Sequence, residues 1–343
     1  MSRKIIAILA ITLSCTLAFS GCSWPWSNSN GNGSVTPDTD VPVIDSTLTE
    51  DDITQIFGNS WLNPTEMIVA GDDTFILDTG NSRILLITDQ GTSGETLCQS
   101  GDNRYLLQEP LAMTVYENNL YIANAGNSEV VVLSTSDKLI KQLPMDKLKD
   151  TDEDPEPSGI AITNDGDIWV SDRINNRVLR YSQNGDLIDY IGQGYPGNND
   201  SQYGFNEPMG LYIDSQNSLY VADCLNGRVV KYSDEDRYIQ QFMMMEGNPL
   251  IHAPKDVVVS ADGFVYFSDL SRGMVQVFAP NGELVGRVGY YDATRIDSTS
   301  ALSEPYGVFL ADDDYLYVID QLRDVVVFYI PPDYWQEKMA DMG

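Results

Sequence analysis

The chain has 343 residues and 42% of them are hydrophobic, enough apolar material for a sizeable core. Lys and Arg number 20 against 51 Asp and Glu, a formal net charge of -31, with a single histidine, His252. Such a surface repels phosphate backbones, and the chain has no Lys/Arg cluster, so nucleic acid is excluded as a partner. The lone histidine weakens a His-rich zinc site or a Ser-His-Asp triad.

The first segment is a basic start, Ser2-Arg3-Lys4, followed by a nearly unbroken apolar run from Ile5 to Phe19. The run is too short for a comfortable membrane span, so residues 1–21 predict a secretion signal. It ends in Phe19-Ser20-Gly21-Cys22, which resembles the lipobox of bacterial lipoproteins, although Phe19 stands where that family favours Leu. The resemblance implies that Cys22 is lipidated and that the chain is held on the extracytoplasmic side of a cell membrane through its lipid alone. Residues 22–50 are rich in Ser, Asn, Gly, Pro and Asp and predict a flexible tether.

Residues 51–330 repeat. Prolines 64, 110, 157, 208, 254 and 305 open successive units at steps of 46, 47, 51, 46 and 51 residues. A polar residue closes the second strand of each unit: Asp78, Asn124, Asp172, Asp223, Asp269 and Asp320, at steps of 46, 48, 51, 46 and 51. Within a unit, short apolar strands such as "GLYID", "LYVAD" and "RVVKY" alternate with Gly- or Asn-bearing turns, and no helical periodicity intervenes. The expected fold is all-β, a six-bladed β-propeller with four antiparallel strands per blade. Blade 6 supplies only three strands before Pro331-Pro332. An N-terminal strand is therefore expected to close the ring. "DITQIFGN" (Asp52–Asn59) is assigned to it because it reads like "DLIDYIGQ" (Asp186–Gln193). Residues 331–343 are read as a surface tail.

The turn pattern "D-x-x-N-x-R" occurs as Asp78-Asn81-Arg83, Asp172-Asn175-Arg177 and Asp223-Asn226-Arg228, each in a unit opened by proline. With the "P-x-G-[IL]" starts, these units resemble the NHL repeat family. The resemblance implies a propeller of the kind that binds proteins, peptides or glycans, with some relatives acting as enzymes. A residue repeated in every blade suits turn structure better than catalysis, so these nine side chains are read as turn locks.

Places where the copies differ carry the functional candidates. The second residue after the opening proline is Gly159, Gly210 and Gly307 in three blades but Glu66 and Asp256 in two others. Both carboxylates are expected near the axis, where Ca²⁺ would be the one cofactor to consider. Two long connectors, Gly192–Pro208 and Gly289–Pro305, bring Tyr195, Tyr203, Phe205, Tyr290, Tyr291 and Arg295, which are expected to build a binding face. Cys98 and Cys224 fall in blades 1 and 4, too far apart to bridge, and are expected as free thiols. The leading expectation is a monomeric, membrane-anchored binding module for an envelope protein, peptide or glycan. The alternative is a calcium-assisted, lactonase-like hydrolase or lyase working in the central channel.

Overall fold

The computed structural model describes residues 43–48, 60–88, 93–98, 106–149, 153–193, 196–197, 201–243, 253–289, 302–311, 315–322, 325–330 and 333–342. Strand β1 is Val43–Leu48. Blade 1 follows as β2 (Glu66–Ala70), β3 (Asp73–Asp78), β4 (Arg83–Thr88) and β5 (Ser93–Leu97). Blade 2 is β6 (Pro110–Tyr116), β7 (Asn119–Asn124), β8 (Glu129–Ser134) and β9 (Leu139–Pro144). Blade 3 is β10 (Pro157–Ile162), β11 (Ile168–Asp172), β12 (Arg177–Tyr181) and β13 (Leu187–Gly192). Blade 4 is β14 (Pro208–Ile213), β15 (Leu219–Asp223), β16 (Arg228–Tyr232) and β17 (Tyr238–Phe242). Blade 5 is β18 (Pro254–Val259), β19 (Val265–Asp269), β20 (Met274–Phe278) and β21 (Leu284–Val288). Blade 6 is β22 (Pro305–Leu310), β23 (Tyr315–Asp320) and β24 (Val325–Tyr329), and β1 adds to it in the order β1-β24-β23-β22.

All pairings within the blades are antiparallel, and the innermost strands β2, β6, β10, β14, β18 and β22 contact one another in turn around a closed circle. The second strands β11, β15 and β19 are buried along their whole length, because each blade packs against two neighbours, and they read as largely apolar runs rather than as alternation. The core is accordingly split into six apolar clusters, one between each pair of adjacent blades. Outer strands alternate instead: in β13, Ile188 and Tyr190 remain exposed while Ile191 is buried.

Two features differ from the sequence reading. The closing strand is Val43–Leu48, paired from Val43↔Tyr329 to Leu48↔Val325, and not Asp52–Asn59, which lies outside the described residues. The propeller thus takes in a stretch that composition assigns to the tether. The C-terminal segment, read as a surface tail, is helix α1 (Tyr334–Met342). Trp335 packs edge-on to Tyr266, and with Tyr334 it is buried in the cluster between blades 5 and 6. Glycine at position 286 leaves the room that the Trp335 ring occupies. No helix among the described residues is long and apolar enough to cross a membrane.

Candidate functional site

Opening prolines and closing polar residues meet at one face of the ring, because Pro157 pairs with Asp172, Pro208 with Asp223, Pro254 with Asp269 and Pro305 with Asp320. The closing carboxylates are anchors for this face. Asp223 Oδ1 accepts the Asn206 N–H at 2.8 Å, while Oδ2 accepts from Asn226 Nδ2 at 2.8 Å and from Arg228 Nε at 2.8 Å. Asp78 does the same with Leu62 N, Asn81 Nδ2 and Arg83 Nε, and Asp172 with Glu156 N, Asn175 Nδ2 and Arg177 Nε. Each carboxylate therefore ties the connector entering its blade to the turn after the second strand. Burial raises the Asp223 carboxyl above its ordinary range, opposed by Arg228 and by the bonds from Asn206 and Asn226.

Blade 2 keeps the lock with its polarity inverted. Asn124 Nδ2 donates to Glu129 Oε1 at 2.9 Å, and its Oδ1 accepts the Gln108 N–H at 2.7 Å. In blade 5, Gln276 replaces the missing arginine on Asp269. Neither substitution is visible from the motif, because the replacing side chain differs in charge or arrives from another position of the strand.

The residue after each closing residue sits on the inner rim. Its backbone N–H bonds the carbonyl of the residue preceding the opening proline, as in Arg173→Glu156, Cys224→Glu207, Leu270→Ala253 and Gln321→Glu304. Its side chain turns toward the next blade's opening residues: Thr79 Oγ1 donates to the Pro110 carbonyl and Gln321 Nε2 to that of Pro64. Residues one and two places after the proline complete the rim.

Glu66 and Asp256 are brought together there, on either side of Gly307, whose lack of a Cβ lets β22 lie against Thr65 and Glu66. Asp256 is buried. Its Oδ2 accepts the Val308 N–H at 2.9 Å across the blade boundary, and its Oδ1 accepts the Val257 N–H at 2.8 Å. Burial lifts the Asp256 carboxyl to about 7, although those two N–H groups oppose it. Burial, and then the charge of Asp256, holds Glu66 well above the usual carboxylate range.

Three residues that the sequence reading passed over, Lys255, Tyr306 and Arg173, join this pair together with Cys224. Lys255 Nζ lies 5.8 Å from the centre of the Tyr306 ring, and its charge acts on the Cys224 thiol, opposing the rise that burial gives it. Tyr306, from blade 6, feels the charge of Arg173, from blade 3 on the opposite side of the ring, as well as those of Asp256 and Glu66. Burial raises the Tyr306 phenol, with Arg173 opposing. Arg173 Nη2 pairs with Glu156 Oε2 at 2.6 Å. Cys224 and Cys98 are buried free thiols.

Among the described residues no group of three or more His, Cys, Asp or Glu side chains is placed to hold a metal ion, and both Asp256 oxygens already accept backbone N–H groups. Calcium takes six to eight oxygens.

The connector residues divide. Phe205 is 0% exposed, packed 6.1 Å from Tyr232 in the core between blades 3 and 4, which corrects its assignment to a binding face. Tyr203 is exposed but leans on Tyr232, and the same connector is pinned to blade 4 by bonds from Arg228 Nη2 to the Ser201 and Gly204 carbonyls. Tyr195, Tyr290, Tyr291, Arg295 and Cys22 lie outside the described residues. The exposed apolar residues of this face are elsewhere: Ile174, Leu225 and Leu322 at the turn tips and Leu62 beside blade 1.

This arrangement defines the chain as a six-bladed β-propeller with a polar constellation at one mouth of its axis. The NHL repeat family model matches residues 155–181 and 205–232, which are blades 3 and 4 up to their third strands. No curated protein matches the sequence. Among solved structures, a catalytically inactive form of virginiamycin B lyase from Staphylococcus aureus with quinupristin is similar at a TM-score of 0.58 and 13% identity, over 78% of this chain and 80% of that one. A putative 6-phosphogluconolactonase from Bacteroides uniformis is similar at a TM-score of 0.56 and 17% identity, over 80% and 82%. At such identities the likeness is one of fold.

Proposed function

We propose that the chain is a lipid-anchored extracytoplasmic propeller that binds a protein or peptide on the face carrying its opening prolines. The observation behind this is the ring of exposed aliphatic side chains there. Ile174, Leu225 and Leu322 occupy the same turn position in three blades, on turns held rigid by buried carboxylate locks. Apolar groups on a rigid rim are an interaction surface, since their exposure costs solubility with no gain to the fold. The signal at residues 1–21 and Cys22 support the anchor. A photo-crosslinker at Leu225 or Leu322 should capture a partner in intact cells, and Leu225→Glu should abolish the capture. Equal capture from an outer-strand position such as Ile188, or from none, would overturn the reading. Replacing Cys22 by Ser should move the protein from the membrane to the soluble fraction.

A second reading, a lactonase-like hydrolase or lyase, has one observation in its favour. A proton-holding carboxyl pair stands beside Lys255 and Tyr306 at the axis, which are groups able to carry acid–base steps. It predicts turnover that Glu66→Gln abolishes, whereas the binding reading predicts that the same variant still captures its partner.

A further inference from the structure

Lys255 is an anomaly. In a chain with 51 acidic and 20 basic residues, among the described residues no carboxylate pairs with its ammonium. It is half-buried at the rim beside the face of Tyr306 and near the Cys224 thiol, neither of which neutralises it. Two other donors at the same rim are also unused. Among the described residues, Arg173 Nε is buried and has no hydrogen-bond partner, because the guanidinium meets Glu156 through Nη2 only. Among the same residues the Tyr306 hydroxyl also lacks one, although Ser268 bonds its backbone carbonyl. A buried donor without an acceptor costs stability, and a cation without a counter-charge costs more. Arg173 Nε is such a buried donor, and the half-buried Lys255 and Tyr306 bring two more donors to the same rim, from blades 5 and 6, that folding does not use.

We infer that the mouth of the axis is an oxyanion site, in which Lys255 Nζ, Arg173 Nε and the Tyr306 hydroxyl together receive one carboxylate group of the ligand. The inference rests on this face being the binding face. A guanidinium and an ammonium give charge-assisted bonds to such a group, and the phenol supplies a third, directional one. A singly charged carboxylate fits better than a phosphate, because Tyr306 feels the carboxyls of Asp256 and Glu66, and each negative charge they take on as they ionise would oppose a second charge on the ligand. Ile174 and Leu225, each one residue beyond Arg173 and Cys224, are exposed to take an apolar portion attached to the carboxylate. A peptide C-terminus or an acidic side chain with an apolar neighbour has this chemistry.

Calorimetric titration of the purified full chain tests this with N-acetylglycine and, separately, inorganic phosphate. N-acetylglycine should bind saturably, and Lys255→Gln and Arg173→Gln should each weaken it by about tenfold, the expectation for losing one charge-assisted bond. Lys231→Gln, which removes a cation paired with Asp214 at the opposite face, should leave it unchanged. Phosphate binding more tightly than N-acetylglycine would keep the oxyanion site but assign it to a phosphorylated ligand. No saturable binding of either anion to folded wild-type chain, or binding that Lys255→Gln leaves intact, overturns the proposal. If the anions fail while crosslinking at Leu225 still captures a partner, the oxyanion site alone falls. If the anions bind and crosslinking captures nothing, the binding-face reading falls and the anion site stands.

Discussion

A carboxylate sealed under a turn is tolerable only while its donors stay with it. Arg228 and Asp223 are both 0% exposed in their side chains, so Arg228→Met would leave a buried, uncompensated charge. The expected cost is about 3–5 kcal/mol in urea denaturation. Blade 2 shows how the loss can be repaired: Asn124 and Glu129 make the same lock with the charge reversed, and Gln142 answers Glu129 as Gln241 answers Arg228. The double change Asp223→Asn with Arg228→Glu should therefore recover more than half of the deficit, and recovery of nothing would show that the lock depends on the arginine itself. The acid pair at the axis makes a separate prediction. Folding raises both carboxyls, so the folded chain holds protons that the unfolded chain has released. The stability linked to this pair is full below about pH 4 and is lost as the pH rises through about 7. Relative to the Asp256→Asn variant, wild type should thus lose ground between pH 5 and pH 8. A difference that stays constant across that range would mean that Asp256 is ionised throughout.

Among the elements, α1 was the least legible in the sequence, and its packing explains why. "DYWQEKMADM" is half polar, but Tyr334, Trp335 and Met339 share one stripe, and that stripe meets blades 5 and 6. A nine-residue helix has little stability alone, so only the apolar surface it covers holds it in place. Trp335→Ala should lower stability by about 3–5 kcal/mol. Gly286→Ala should reproduce much of that loss, because a methyl group there meets the indole. An unchanged melting temperature in both variants would return the segment to the role of a surface tail. The rim shows the opposite imbalance. The repeat made Glu66 and Asp256 stand out because glycine is the norm at their position. Lys255 and Tyr306 lie one place after the opening proline, and Arg173 and Cys224 one place after the closing Asp, positions where every blade has a different residue. With no shared residue to depart from, the sequence offered no contrast, and only the closed ring placed the four together. Phe205 was misread for a related reason: an aromatic in a loop looks available until the blade beneath it shows a gap of its size.

The whole molecule depends on a single seam. Five blades are made of consecutive strands, but blade 6 joins β1 to β24, so the two ends of the propeller are tied in one sheet. The repeat predicted such a seam because blade 6 was a strand short. It misplaced the strand because "VIDSTL" carries its apolar residues only at its two ends and sits in a polar stretch. An outer strand needs little apolar content, since only one of its edges is paired and the outer strands of other blades are largely exposed. The two assignments predict different truncations. If Val43–Leu48 is the seam, removing residues up to 42 leaves stability and solubility unchanged, while removing residues up to 50 exposes the edge of β24. That edge is Val325-Val326-Val327-Phe328-Tyr329, a run of high β-propensity without charge or proline, and an unpaired edge of this kind is a template for aggregation. The shorter chain should melt at lower temperature and sediment as oligomers, because loss of the seam frees the ring ends and the contact between blades 6 and 1. A chain beginning at residue 51 that stays monomeric with an unchanged melting temperature would place the seam in Asp52–Asn59 after all.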